Sequence, residues 1–581
     1  MTVYQTTRRA AIAGAVACLL LGAACDRTNS ASARQTGEAS GEVARWAPPD
    51  PNTIKGVPLT AVQEAITTRL AAARPKPISH DSWDHVQHLY QLFARGPLWL
   101  DRKGLNGDRT HALTDELLAI DSDAVAVDAY PLADLARAIV TVRDSDHPTA
   151  EQLAEVDVLL TTCFAALGED LITGQISPGS VSQSWHISSR EDDVDSALVR
   201  TLRVGDLQAS MSRMRPQDPE YDALRKELGR YRELVARGGW PQVPDGPSLK
   251  PGDTTSIARV TALRARLAAE GLVSAAPTSS GVTVPEAKAV YDSALAGAVA
   301  EFQVRHAIGV DSILGGETLA SLNLSASYRL GQIAANLERY RWLPRLLGDR
   351  YVLVNVPAFH LTAFDGGKPA LDMKVIVGAE YNNRSTPVFS DSMEYVVFRP
   401  YWIVPTSIAE KEIWPKVQQD PTYLDRNDYE QVTIDGEQRI RQKPGPRNSL
   451  GLVKFIFPND FSIYLHATPQ NELFDKDVRA MSHGCIRLQH PAEFAEWVLG
   501  WPMDRVEQEM QSGPDDHRVN LPHKVPVYIV YFTTYTQNGE LYFGNDLYKR
   551  DDALVKAVAD GAQLTAEESA ALAVLRKAAA S

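Results

Sequence analysis

The chain has 581 residues, 44% hydrophobic and 23% charged, too many for one hydrophobic core and with the composition of several folded globular domains rather than of a disordered or wholly membrane-embedded chain. A formal charge of -14, from 59 basic and 73 acidic residues, gives no global attraction for nucleic acid or an anionic membrane, so nucleic acid is not expected as a partner. At the N-terminus Arg8 and Arg9 precede an Ala/Leu-rich run over residues 10–24 that ends in small residues before Cys25. That pattern predicts an export signal over residues 1–25, because the run falls short of the roughly 18 to 20 apolar residues that span a bilayer. The paired arginines suit either a twin-arginine signal or an ordinary basic n-region, so the export route stays open.

Leu21-Gly22-Ala23-Ala24-Cys25 resembles a bacterial lipobox with its leucine one position early, and the polar stretch behind it has the composition of a tether. The expectation is a cell-envelope or periplasmic protein with a flexible segment over residues 26–80 and, if Cys25 is lipidated, a membrane anchor; the alternative is a plain cleaved signal. Of the four cysteines, Cys18 and Cys25 fall in the signal region, so no disulfide framework is expected. Cys163, in an apolar helical run, reads as packing.

Residues 81–250 carry apolar side chains at spacings of three and four, as in Leu153, Val156 and Leu160 or Tyr221, Leu224 and Leu228, predicting a helical scaffold. Gly238-Gly239-Trp240-Pro241 and Pro251-Gly252 punctuate its end. Residues 251–325 read as a small helical module, in which Phe302-Gln303, Asp311-Ser312-Ile313-Leu314-Gly315 and Thr318 through Leu322-Asn323 resemble the three-helix peptidoglycan-binding domain, with Ser312 where glycine is usual. Phe302, Ile313, Leu319 and Leu322 are expected to be its core, so any wall-binding role rests on the resemblance alone.

A helical connector over residues 326–350 leads to a region of alternating pattern, 351–548. Val352, Val354 and Val356, then 373–377, 395–398, 463–466 and 527–532, read as strands of a β-rich domain. Residues 408–446 are too long and charged for a simple connection and predict a cap over the site. Residues 549–581 read as a C-terminal helical tail, packed or solvated rather than a site.

Chemistry concentrates in Ser482-His483-Gly484-Cys485-Ile486-Arg487 and in His466 at the end of a strand. A free thiol is mostly protonated at neutral pH, so a cysteine nucleophile needs a base, which His466 or His483 supplies. Gly484 permits a tight turn, and the Gly484 and Cys485 amides could hold an oxyanion. Packing, or zinc held by the histidines and cysteine, remain the alternatives at this level.

His466 followed by Ser482 to Arg487 resembles the signature of the L,D-transpeptidase catalytic domain, also called YkuD. More narrowly, 336–342, 445–451 and 464–469 resemble the multidomain YcbB-like subfamily, which joins a helical scaffold, a peptidoglycan-binding domain and a catalytic domain with an inserted cap. The resemblance implies an α+β multidomain chain with Cys485 as nucleophile, His466 as general base oriented by the Ala467 carbonyl, and His483 lining the site. It implies an oxyanion hole from Gly484 and Cys485, and substrate contacts from Arg487, Tyr464, Asn448 and Trp402. It further implies a cysteine acyltransferase needing no metal or organic cofactor, with stem tetrapeptides as donor and acceptor and a thioester intermediate leading to 3-3 cross-links; recruitment by wall synthases stays open. The rival readings are an L,D-carboxypeptidase or a wall-protein attachment enzyme on the same site, and, from another class, a silent wall-binding scaffold.

Overall fold

The computed structural model describes residues 52–188, 194–274, 288–379 and 385–580. The expected signal, Cys25 and residues 26–51 of the tether lie outside these. No helix among the described residues is long and apolar enough to cross a membrane.

The scaffold is built around the helix Ala150–Thr173, started by a reciprocal Thr149/Gln152 capping box and buried on nearly every side. A helix apolar all round must be covered all round. His80–Leu92 and Leu132–Asp144 pack on it and deliver Val86, Leu89, Leu135 and Ile139 to the same core. Cys163 is a free, fully buried thiol in this core, as its apolar run predicts. Two expectations need correction. Residues 53–71 are not tether: a short hairpin leads into the helix Leu59–Ala71, whose Val62 and Ile66, four apart, are fully buried against Ala150–Thr173. Nor does the scaffold end near residue 250, because the terminal helix Ala566–Ala580 returns to pack Leu572, Leu575 and Ala578 into the same core.

The expected connector is a central spine. The helix Ala326–Arg341 is buried along almost its whole length, between the scaffold helix Pro219–Ala236 and the C-terminal helices Asp552–Ala557 and Ala559–Ala562. Its polar residues are therefore paired inside. Arg341 bonds Glu338 and donates to the Asp123 carbonyl at 2.7 Å and the Tyr221 hydroxyl at 2.9 Å. Arg339 pairs with Asp551 at 2.7 Å, and Asn336 donates to Thr533 at 3.0 Å. Removing one partner of such a buried pair strands a charge, which costs about 3–5 kcal/mol.

Residues 257–322 hold three helices, Ile257–Ala269, Ser293–Arg305 and Gly316–Leu322, around Leu263, Leu267, Val299, Phe302 and Leu322. The core residue of the 311–315 turn is Leu314, not the expected Ile313, which is half-buried. Leu314 turns inward because its backbone bridges to Leu249. Ser312 takes the left-handed conformation, φ 60°, which explains why glycine suits that position. Gln303 accepts from the Asp311 and Ser312 amides and donates to Asp311 and Thr318, so the Phe-Gln pair serves the fold.

The β-rich region forms one sheet of nine strands, in the order Ala480–Ser482, Lys368–Gly378, Ile486–Leu488, Leu465–His466, Val453–Ile456, Phe389–Phe398, His517–Val530, Arg350–Asn355 and His360–Asp365. Pairing of His360–Asp365 back onto Lys368–Gly378 closes the sheet on itself. The cap is a separate small layer: Trp402–Ile403, Glu437–Gln442 and Tyr429–Ile434 make a three-stranded sheet over Val404, Ile408, Ile413 and Ile440. It begins at Trp402, ahead of the expected 408, because the first cap strand pairs with the last.

Candidate active site

Two short parallel strands place the chemistry. Leu465 faces Ile486 and His466 faces Arg487, and the Ile486 amide donates to the Tyr464 carbonyl at 3.1 Å. Side chains alternate along a strand, so Tyr464 and His466 leave the sheet on the same side as Cys485 and Arg487. All four line one cleft of about 540 Å³. The cap supplies the opposite wall through Trp402, Ile408, Glu412, Ile413, Lys416 and Tyr423.

His466 is 4% exposed, and its Nδ1 lies 2.6 Å from the Ala467 carbonyl. A carbonyl only accepts, so Nδ1 carries the proton and Nε2 is left as the basic nitrogen. Burial, and then the positive charge of Arg487, push this imidazole down to about 3; it is neutral at pH 7. Gly451 makes room beside it. At φ +64°, an added Cβ there would sit 2.5 Å from the Ala467 side chain and 2.7 Å from the Thr468 amide.

Cys485 is half-buried on the cleft wall, and its thiol donates to the Ser462 carbonyl at 3.7 Å. Burial raises it to about 11, against the opposing pull of hydrogen bonds from Tyr464 and the charge of Arg487. Both shifts favour the uncharged forms, a thiol and a neutral imidazole lining one cleft. Gly484, at φ +117°, makes the turn before it. The loop is held from behind: Ser482 Oγ accepts from the Gly484 amide at 3.1 Å and donates to the Cys485 carbonyl at 2.5 Å, while buried Thr386 donates to the Gly484 carbonyl at 3.0 Å.

Of the two amides expected for an oxyanion hole, that of Gly484 is thus engaged by Ser482. His483 is paired through Nε2 with Glu412 of the cap at 2.8 Å, joining the loop from Ser482 to Arg487 to the opposite wall. Glu412 lies in a π-helical turn, Ala409–Ile413, a distortion often found at functional sites. Arg487 donates to Gln470 at 2.9 Å and faces the cleft. Trp402 packs 6.4 Å from the Tyr429 ring as part of the cap wall.

Asn448 departs from expectation. It is 1% exposed and does not line the cleft; its Nδ2 donates to the Pro400 and Lys443 carbonyls at 3.0 Å and its Oδ1 accepts from the Leu450 amide at 2.8 Å. With these bonds made, it ties the two ends of the cap together instead of meeting substrate. The sequence reading also missed Glu412, Lys416, Ser462, Ser482 and Thr386. Ser482 stands in the nominated segment but was given no role there, whereas Thr386 is about a hundred residues from Cys485 and carries no local signal. Among the described residues no group of three His, Cys, Asp or Glu side chains is placed to hold a metal ion.

The L,D-transpeptidase catalytic domain, YkuD, matches residues 349–529, and a scaffold domain matches residues 84–228. A protein of Haemophilus influenzae, provisionally named an L,D-transpeptidase, is 30% identical over 240 residues, covering 38% of this chain and 48% of that one. The chain thus spans about half the length of that relative. Among solved structures, an L,D-transpeptidase from Xylanimonas cellulosilytica is 15% identical, covers 49% of this chain and 99% of its own, and has a TM-score of 0.16. An Ldtfm-avibactam carbamoyl enzyme is 12% identical, covers 32% and 51%, and has a TM-score of 0.15. This chain carries an L,D-transpeptidase catalytic domain of the YkuD type together with a scaffold domain.

Proposed function

We propose that the protein is a cell-envelope L,D-transpeptidase that forms 3-3 peptidoglycan cross-links through a thioester on Cys485. The observation that supports this most directly is the placement of Cys485 diagonally from His466 on one face of paired strands, with His466 Nδ1 committed to Ala467. In the first step the Cys485 proton passes to His466 Nε2 as sulfur attacks the carbonyl carbon of the third residue of a tetrapeptide stem. The Cys485 amide steadies the oxyanion. Collapse breaks the peptide bond, and the terminal D-alanine leaves as an amine with the proton from His466. In the second step the side-chain amine of another stem attacks the thioester, gives its proton to His466, and releases Cys485 as thiol. Arg487 and Lys416 offer positive charge to substrate carboxylates, and the 251–325 module serves as a wall-binding unit.

Water competes for the thioester, so a transferase must orient the amine and restrict solvent. The cap, with its own small core over the cleft, is the enclosure. Wild type incubated with tetrapeptide-containing wall fragments should give mainly 3-3 dimers by mass spectrometry. Trimming the cap, with its ends rejoined at the Asn448 clasp, should shift products toward tripeptides. Dominant tripeptides from wild type with acceptor abundant would instead make it a carboxypeptidase. For the envelope location, lipid on Cys25 would place the wild type in the membrane fraction and Cys25→Ala in the soluble periplasm; wild type found soluble removes the anchor.

A further inference from the structure

A second polar pocket lies at the seam between the scaffold and the back of the catalytic sheet, outside the cleft. The seam is stitched by the His186 amide donating to the Val388 carbonyl at 2.7 Å and the Val388 amide donating to the Ser184 carbonyl at 2.9 Å. Where residues 548–554 meet it, a pocket of about 420 Å³ is lined by Ser182, Ser184, Ser385, Lys549 and Arg550, among others. At Ser182 and Arg550 it adjoins a void of about 10 Å³, also walled by Trp185, Arg339 and Tyr531, room for about one small atom group.

The Arg550 guanidinium lies over the rings of Tyr531 and Tyr548, 4.8 and 4.6 Å from their centroids, and its Nη2 donates to the Thr386 carbonyl at 3.2 Å. Its Nη1 is buried and, among the described residues, has no acceptor; the same holds for Nε1 of Trp185, which is 9% exposed. Arg339 beside them is already paired with Asp551. Among the described residues no ion pair neutralises Arg550. Buried donors are ordinarily satisfied, and a buried cation is ordinarily compensated. Here Trp185 and Arg550, each with a buried N–H that lacks an acceptor among the described residues, line the same void, and Ser182, Ser184 and Ser385 line the outer pocket.

We propose that this seam is an anion-binding site, taking a carboxylate or phosphate whose oxygen accepts from Trp185 Nε1 and Arg550 Nη1 while the rest of the molecule occupies the outer pocket. Asp546 answers part of the Arg550 charge at longer range, while the buried Nη1 itself still has no acceptor among the described residues. The site does not depend on the acyl-transfer reading, and it abuts the support of the nucleophile loop through Thr386.

The test titrates the full chain with inorganic phosphate or with acetate at constant ionic strength, following Tm and the indole N–H resonance of Trp185. Saturable stabilisation that moves this resonance is expected, and about tenfold or greater weakening in Trp185→Phe and Arg550→Gln, the scale of a hydrogen bond to a charged group. Tighter phosphate binding identifies a phosphoryl ligand, and acetate binding at least as tight identifies a carboxylate. Trp185→Phe keeps the ring against Trp342, at 4.9 Å, so it remains informative if Arg550→Gln does not fold. An unsaturable response in wild type, or affinity unchanged in Trp185→Phe, overturns the proposal.

Discussion

Cys485→Ser should retain the fold and lose the covalent adduct with a carbapenem, together with all cross-linking, with acylation falling on the order of 10³-fold or more. The swap is nearly isosteric, and a hydroxyl can keep the thiol's bond to the Ser462 carbonyl and its contact with Tyr464, so little stability is at stake. Chemically the change is large. The setting that raises the thiol to about 11 penalises an alkoxide further, and oxygen is the poorer nucleophile toward an acyl centre in a site arranged around sulfur. Intact-mass spectrometry reads the adduct directly. An adduct formed at the wild-type rate in Cys485→Ser would remove Cys485 from the mechanism.

His466→Ala should lower acylation by about 10²–10⁴-fold, the usual contribution of a positioned general base. The effect follows from the neutral pair. With Cys485 protonated at rest, attack requires an acceptor for its proton, and His466, which lines the same cleft with Nδ1 bound to Ala467, offers Nε2 for it. His483→Ala should be milder, since its Nε2 is occupied by Glu412. A crippled His483→Ala beside an active His466→Ala would reassign the base.

The same pair sets two pH dependences. Alkylation of Cys485 by iodoacetamide, which needs thiolate, should rise about tenfold per pH unit from pH 7 toward the thiol value of about 11; a plateau above pH 7 would mean a preformed ion pair. His466 drops from its ordinary 6.5 to about 3 on folding. Between those values the unfolded chain binds the proton and the folded chain does not, so this group's contribution lowers stability as pH falls below 6.5. Acylation should not fall off with histidine protonation near pH 6.5, because folded His466 keeps its lone pair well below that.

Much of the candidate site was legible locally. Ser482 through Arg487 is one contiguous segment, and a histidine ending a strand reveals itself by alternation, so the candidate Cys485 loop and His466 needed no knowledge of distant contacts. The helix Ala150–Thr173 announced itself the same way, through an apolar spacing sustained over several turns. Other features failed for a physical reason. Residues 53–71 follow a polar, tether-like stretch, and Val62 and Ile66 acquire meaning only once the long scaffold helix offers them a surface. Ala326–Arg341 has a polar composition that reads as a helical connector. Its burial depends on Asp123, Tyr221, Thr533 and Asp551 arriving from far along the chain to meet its charges.

The sequence by itself determined the chemistry available, a thiol with two histidines and a flexible turn, and the alternating and helical periods that assign most of the secondary structure, because these depend on neighbours within a few residues. Tertiary structure alone decided which groups the chemistry uses and how they are tuned. It was long-range packing that turned Asn448 into a clasp, set Glu412 of the cap on His483, put Thr386 behind Gly484, and buried His466 beside Arg487 so that it stays neutral. Burial and charge proximity are properties of the assembled fold, and no run of residues encodes them locally.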